Sequence, residues 1–96
     1  MNEIKVEKIS EQKKKEWGIP ESPQNTGIWS VWECEPSDFD WHYSDEEVAY
    51  VYEGKVNVET DSGSVTVNQG DLVIFPKGLS CKWHVIEKIR KVYQFR

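Results

Sequence analysis

Two side chains in this 96-residue sequence have chemistry suited to a functional site, the carboxylate of Glu47 and the thiol of Cys81. Glu47 precedes an apolar run that leads to Gly54, and Cys81 follows a second apolar run and a Pro-Lys-Gly turn. A carboxylate that faces the inside of a protein must be paired, hydrated or protonated, because burying it bare costs several kcal/mol. If the two runs are neighbouring strands, we expect Glu47 and Cys81 to face one cavity and to be its catalytic residues, with Glu47 as general acid or base.

The wall of that cavity is predicted from the alternation of side chains along a strand. Cys81 shares a strand face with Trp83, and Glu47 shares its face with Ala49, which is small enough to leave space below the carboxylate. Three aromatic residues are expected to line the cavity: Trp41, Tyr43 and Trp83. Aromatic residues at the mouth of a barrel can form walls for a ligand, but the same rings could equally be core.

Composition limits the class of protein. Twelve basic and seventeen acidic residues give a net charge of −5, which argues against a nucleic-acid-binding protein. The first residues do not resemble a signal peptide, and no apolar run approaches the roughly twenty residues that cross a bilayer. We therefore expect a protein of the cytoplasm without membrane or nucleic-acid partners, in which Cys34 and Cys81 are free thiols.

The pattern of elements predicts an all-β fold with one short helix near the N-terminus. Ser10 can cap a helix over residues 10–17, and Gly18 is placed to end it. About nine short strands follow one another at intervals of eight to twelve residues, which is typical of an antiparallel sandwich or jelly roll. Residues 1–96 are predicted to form a single domain, with a strand, helix and loop over 1–27 and a barrel over 28–96.

The two stretches resemble the paired motifs of the cupin superfamily. The first motif contains a glutamate seven residues before a glycine, as Glu47 is before Gly54, and the second has the spacing of Gly70, Pro76 and Gly78. The match covers residues 39–85, and the chain resembles the small cupins grouped with the C-terminal domain of ureidoglycine aminohydrolase and with the ethanolamine-utilisation cupin. The resemblance implies a double-stranded β-helix, the cupin jelly-roll barrel, that holds a small metabolite.

The metal ligands of a cupin are largely replaced in this sequence. Cys81 occupies the histidine position of the second motif. The two histidine positions of the first motif depend on the register, and they are either Trp41 and Tyr43 or Asp40 and His42. The weak metal candidates are His42, Glu47 and Cys81. Since a transition metal in such a site wants two or three imidazoles and a carboxylate, a divalent metal is not favoured, and the cofactor is left unspecified.

Three functions remain open from the sequence. The chain could be an enzyme acting on a small metabolite, a module that binds such a ligand without chemistry, or a structural cupin with a filled cup. A cavity of roughly 300 Å³ or more around Glu47 would separate the first two from the third. We also predict a homodimer, because the strand over residues 29–34 carries more apolar surface than one sheet face can hide.

Overall fold

The computed structural model describes residues 3–21 and 27–96, and within them it contains one helix and seven strands. The loop predicted over 18–27 lies partly outside the described residues. All strand pairings are antiparallel, so the predicted all-β class is confirmed. The elements are β1 Lys5–Lys8, α1 Glu11–Trp17, β2 Ser30–Cys34, β3 Ser37–His42, β4 Glu47–Thr60, β5 Gly63–Asn68, β6 Asp71–Phe75 and β7 Ser80–Phe95.

The helix is limited by the two residues predicted to limit it. The Ser10 hydroxyl accepts a hydrogen bond from the backbone N–H of Lys13 at 3.2 Å. Gly18 ends the helix in the left-handed conformation, with φ of +70°. Inside the helix, the Lys14 ammonium lies 4.9 Å from the ring centre of Tyr50, so α1 packs on the outer face of the sheet. No helix in the described ranges is long and apolar enough to cross a membrane.

Two long strands, β4 and β7, organise the jelly-roll barrel. They pair with each other along most of their length, and the sheet order is β1-β6-β4-β7-β2. Strand β4 also pairs with β5, and strand β7 also pairs with β3. Each long strand therefore contacts three others, and residues on its inward face look into the same interior.

The sequence predicts about nine strands, and the described residues form seven because two predicted breaks do not occur. Strand β4 continues through Gly54, and β7 runs from Ser80 to Phe95 without the break near 87–88 that two short strands would require. Gly54 has φ of +97°, and a Cβ there would lie 2.2 Å from the carbonyl oxygen of Lys88. The β4–β7 register shifts around this point, so the glycine marks a bulge that bends two paired strands.

Two apolar clusters lie on opposite faces of the sheet. The inner cluster fills the barrel and includes Val51, Val58 and Phe75. The outer cluster, beneath α1, contains Trp29, which is 4 % exposed and donates its indole N–H to the Gly18 carbonyl at 3.0 Å. Trp29 belongs to the 29–34 stretch whose apolar surface predicts a homodimer, but the chain covers this side chain itself, so Trp29 needs no partner chain. The homodimer stays a prediction.

Candidate functional site

One end of the barrel holds a cavity of about 240 Å³ with a wall that is mainly aromatic. Trp41 and Phe95 are each half exposed and lie at its mouth. Its volume is below the roughly 300 Å³ at which ligand pockets usually begin, so the aromatic side chains fill part of the cup. The lining residues are Trp32, Phe39, Trp41, Tyr43, Glu47, Trp83, Lys91, Tyr93 and Phe95.

Strand alternation puts the polar groups of the cavity together. Glu47 is the first residue of β4 and pairs with Phe95, while Lys91 of β7 pairs with Val51. Ala49 lies between these two positions on the inner face of β4, and its small side chain leaves room for a long side chain to pass. The space left by the small side chain of Ala49 therefore allows Lys91 to reach Glu47.

Glu47 and Lys91 form a buried ion pair. The Lys91 Nζ donates to Glu47 Oε2 at 2.6 Å, and the two side chains are only 6 % and 5 % exposed. Burial lowers the pKa of Lys91, and the Glu47 carboxylate opposes that effect. Removing one partner of such a pair is far more costly than removing a surface charge.

The ammonium of Lys91 is surrounded by aromatic rings. Their centres lie between 4.9 and 5.7 Å from Nζ. Ring faces attract a cation, so they favour the charged form of Lys91 in the same way as Glu47 does. The four rings are those of Trp32, Phe75, Trp83 and Tyr93.

Tyr43 lies where the sequence predicts it, in the wall of the cavity beside Glu47. Its ring stacks on Phe75 with a centroid distance of 4.6 Å and an interplanar angle of 8°. Burial raises the pKa of Tyr43, and the charge of Glu47 raises it further. The phenol therefore stays protonated at neutral pH, and its hydroxyl can donate one hydrogen bond and accept others.

Trp83 also lines the cavity, as predicted, and carries a buried polar atom. Its indole Nε1 meets no acceptor at hydrogen-bonding distance among the described residues. A buried donor left without a partner costs about 1–3 kcal/mol. Trp83 is therefore a wall residue with an unused hydrogen-bond donor.

Cys81 is not among the residues that line the cavity with Glu47. Its thiol donates to the Trp41 carbonyl oxygen at 3.7 Å, and the residue borders a separate, open depression of about 500 Å³ that also includes His42 and Ser80. Burial raises the pKa of the Cys81 thiol. A thiol held in its protonated form is a poor nucleophile. The position of Cys81 at the separate depression also gives its thiol no direct contact with the aromatic cavity.

The three weak metal candidates are not gathered around one point. His42 is exposed, and its Nδ1 lies 2.8 Å from the Ser80 hydroxyl. Glu47 is bound by the ammonium of Lys91, which would repel a cation at the same carboxylate. Within residues 3–21 and 27–96 no group of three His, Cys, Asp or Glu side chains could hold a metal ion. The donor set present therefore does not fit the divalent metal that the cupin resemblance implies.

Lys91 is the charged cavity residue that the sequence analysis does not predict. The unpredicted aromatic lining residues are Trp32, Phe39, Tyr93 and Phe95. No role is assigned to Lys91 from the sequence, but the residue is only 5 % exposed. The signal was parity, because Ile89, Lys91 and Tyr93 alternate on one face of the last strand and the first of them is fully buried. A lysine between two large apolar residues at strand spacing is an inward-facing lysine.

The jelly-roll barrel with an acidic residue in an aromatic cup defines a small cupin. A family model described as the EutQ-like cupin domain matches residues 21–93, and the chain belongs to that family. The predicted resemblance to the ethanolamine-utilisation cupin is confirmed, and the resemblance to the ureidoglycine aminohydrolase domain stays a prediction.

Three matches show how far the similarity extends. A crystal structure of a DUF861 family protein from Thermotoga maritima is 43 % identical, with a TM-score of 0.86, and covers 98 % of this chain and 100 % of its own. The acetate kinase EutQ of Clostridioides difficile is 30 % identical over 61 residues, which is 64 % of this chain. The structure of the Clostridium difficile EutQ protein has a TM-score of 0.63 at 28 % identity, over 68 % of this chain and 52 % of that one. This chain spans only 39 % of the curated acetate kinase relative.

Proposed function

We propose that this cupin binds a small metabolite in the aromatic cavity, with the polar end of the ligand held by Glu47 and Lys91. The observation that carries the proposal is the buried ion pair at 2.6 Å in the wall of a cavity of about 240 Å³. A buried ion pair is weak evidence for stability, because well-packed apolar residues of the same size often serve as well or better. A carboxylate and an ammonium beside open space are better explained as recognition groups.

The size and wall of the cavity limit the ligand. A volume of about 240 Å³ corresponds to about eight water molecules at their share of liquid volume. The ring of aromatic side chains favours a ligand with a flat or apolar body, since such a body replaces water against the rings. The ligand is therefore a small metabolite with one polar end.

Catalysis by the same site is the stronger form of this proposal. Glu47 would be the general acid or base, and Tyr43 would orient the substrate through its hydroxyl. The predicted catalytic role of Cys81 would then have to be indirect, because its thiol donates a hydrogen bond to the backbone carbonyl of Trp41 and does not line the cavity. Acetate kinase is the name of a relative of which this chain spans only 39 %.

The alternative is a structural cupin in which the aromatic rings simply fill the cup. Its supporting observation is the small volume, which falls short of the usual range for ligand pockets. Both the binding version and the structural version include the predicted homodimer. It would form through β2, which is the last strand in the sheet order and exposes Val31. Ligand binding separates the two versions.

A fragment and metabolite screen tests the proposal. Trp32 and Trp83 lie in the wall, so a ligand should change the tryptophan fluorescence as well as the melting temperature. Glu47→Gln should weaken the hits at least about tenfold, which corresponds to about 1.4 kcal/mol. Glu46→Gln is the matched control, because Glu46 lies next along the chain but pairs with Arg96 outside the cavity. If no ligand binds, the structural version is correct. If ligands bind but Glu47→Gln binds every hit as tightly as the unmodified protein does, the proposal that Glu47 holds the ligand is wrong.

A further inference from the structure

We infer that the ligand of this cavity is an uncharged molecule with a hydrogen-bond acceptor and a hydrogen-bond donor bonded to the same carbon, as in a carboxamide or a lactam. The inference rests on the proposed binding function and adds the chemical class of the ligand. It follows from the charge balance of the Glu47–Lys91 pair and from the hydrogen-bonding capacity that the pair leaves unused.

The charge balance argues against an ionic ligand. Glu47 and Lys91 are the two ionic groups among the residues that line the cavity, so the charges cancel when the pair is intact. An anionic ligand would be attracted by Lys91 but repelled by the Glu47 carboxylate. A cationic ligand would be attracted by Glu47 but repelled by the Lys91 ammonium. In either case one unit of charge would be left unbalanced in a largely aromatic surrounding, which is costly. A neutral ligand keeps the balance.

The unused hydrogen-bonding capacity selects the polar group of the ligand. The ion pair uses Oε2 of Glu47 and one of the three N–H groups of the Lys91 ammonium. Oε1 is a second acceptor on the carboxylate, and the ammonium retains two further donors. Nζ and Oε2 are only 2.6 Å apart, so a ligand whose acceptor and donor are bonded to one carbon can contact both members of the pair. Its acceptor would bind Lys91 and its donor would bind Glu47. The N–C=O group of an amide has this arrangement.

The cation-binding capacity of the aromatic wall is already used. The four rings around Lys91 Nζ have their centres within 5.7 Å of it, so the ammonium of the protein itself occupies the position in which such a wall would hold a cationic ligand. What remains for a ligand is contact with ring edges and with the exposed faces of Trp41 and Phe95 at the mouth. A flat neutral body fits that surface.

Four probes of nearly equal shape test the inference. Benzamide is neutral with a donor and an acceptor, benzoate is its anionic analogue, benzamidinium is its cationic analogue, and acetophenone is neutral with an acceptor only. Binding to the full chain is measured at neutral pH by ligand-observed NMR and by tryptophan fluorescence. We expect benzamide to bind at least about tenfold more tightly than each of the other three.

Variants of the pair give a second, independent measurement. In Glu47→Gln the ammonium is no longer balanced, so the preference should move from benzamide towards benzoate, with the affinity ratio changing at least about tenfold. In Lys91→Met the carboxylate is left alone, and benzamidinium should gain by a similar factor. The controls Glu46→Gln and Lys88→Met, both outside the cavity, should leave the ranking unchanged. Circular dichroism confirms that each variant is folded before its affinities are compared.

The outcomes separate this inference from the proposed function. Benzoate or benzamidinium binding as tightly as benzamide overturns the neutral-ligand inference but leaves a ligand-binding cavity. Failure of all four probes also overturns the inference, and the metabolite screen then decides the proposed function by itself. Equal binding of benzamide and acetophenone shows that the donor is not recognised and likewise overturns the inference.

Discussion

Lys91→Met should be among the most destabilising single substitutions in this protein. Methionine has nearly the length and volume of the lysine stem, so the change removes the ammonium and little else. The Glu47 carboxylate then remains in the barrel without its partner, and its side chain is only 5 % exposed. The cost arises mainly from the charge that stays behind, because water cannot solvate it fully.

The expected magnitude follows from the burial of both partners. Breaking a buried pair by removing one member costs about 3–5 kcal/mol, whereas replacing both members by apolar residues is often neutral or stabilising by about 1–4 kcal/mol. In a domain of this size each kcal/mol lowers the melting temperature by about 4–8 °C, so Lys91→Met should lower it by about 12 °C or more. The double variant Glu47→Leu/Lys91→Met should recover most of that loss.

Urea denaturation followed by tryptophan fluorescence measures these free energies, and thermal melts by circular dichroism check them. The matched control is Lys88→Met on the same strand, since Lys88 is half exposed and pairs with surface carboxylates. Its effect should stay within about 1 kcal/mol. If Lys91→Met costs no more than Lys88→Met, or if the double variant is as unstable as the sum of the single ones, the pair is not the buried, coupled unit described above.

Three further predictions concern parts of the molecule away from the cavity. Hydrogen bonds to two carboxylates raise the pKa of His84 above its ordinary value of 6.5, so the stabilisation it provides is complete below about pH 6.5 and is lost as the pH rises through the raised value. Melting temperatures of the protein and of His84→Gln should therefore differ at acidic pH and converge at alkaline pH; a constant difference contradicts this. Gly54→Ala should lower the free energy of unfolding in urea by about 3 kcal/mol or more, because the new Cβ would lie 2.2 Å from the Lys88 carbonyl oxygen. Gly78 is the control: it has φ of +87° with open space around it, so Gly78→Ala should lower that free energy clearly less. Sedimentation at low micromolar concentration should detect a dimer, and a monomer at every concentration would rule out pairing through β2.

The fold could be predicted because its signals are local and consistent. The cap at Ser10, the left-handed Gly18 and the alternating strands each specify a piece of structure that neighbouring residues decide. The two missing breaks have a different cause. A glycine within an apolar run is typical of both a turn and a bulge, and only the close contact of Gly54 with β7 distinguishes them. That contact depends on residues more than thirty positions away in the chain.

The aromatic wall could also be predicted, but the placement of Cys81 could not. Parity identifies which face of a strand a residue occupies, and the structure places Tyr43 and Trp83 around one cavity with Glu47. Parity does not say how far along the strand the cavity extends. Cys81 lies one inward position from Trp83, and this step is enough to place it at the neighbouring depression.

The replacement of the metal-ligand pattern and the presence of Lys91 are best understood together. A carboxylate inside a barrel needs a balancing positive charge, and in a metal-binding cupin the ion would supply it. Here the histidine positions hold Trp41, Tyr43 and Cys81 or their register alternatives, so an imidazole cluster is not available to retain an ion. Lys91 supplies the charge from the neighbouring strand β7, with its Nζ 2.6 Å from Glu47 Oε2. A covalently attached ammonium cannot exchange as a metal ion can, so the charge of Glu47 is balanced by the chain itself. In the binding site proposed above, we therefore expect any chemistry to use proton transfer and hydrogen bonding at Glu47, Lys91 and Tyr43.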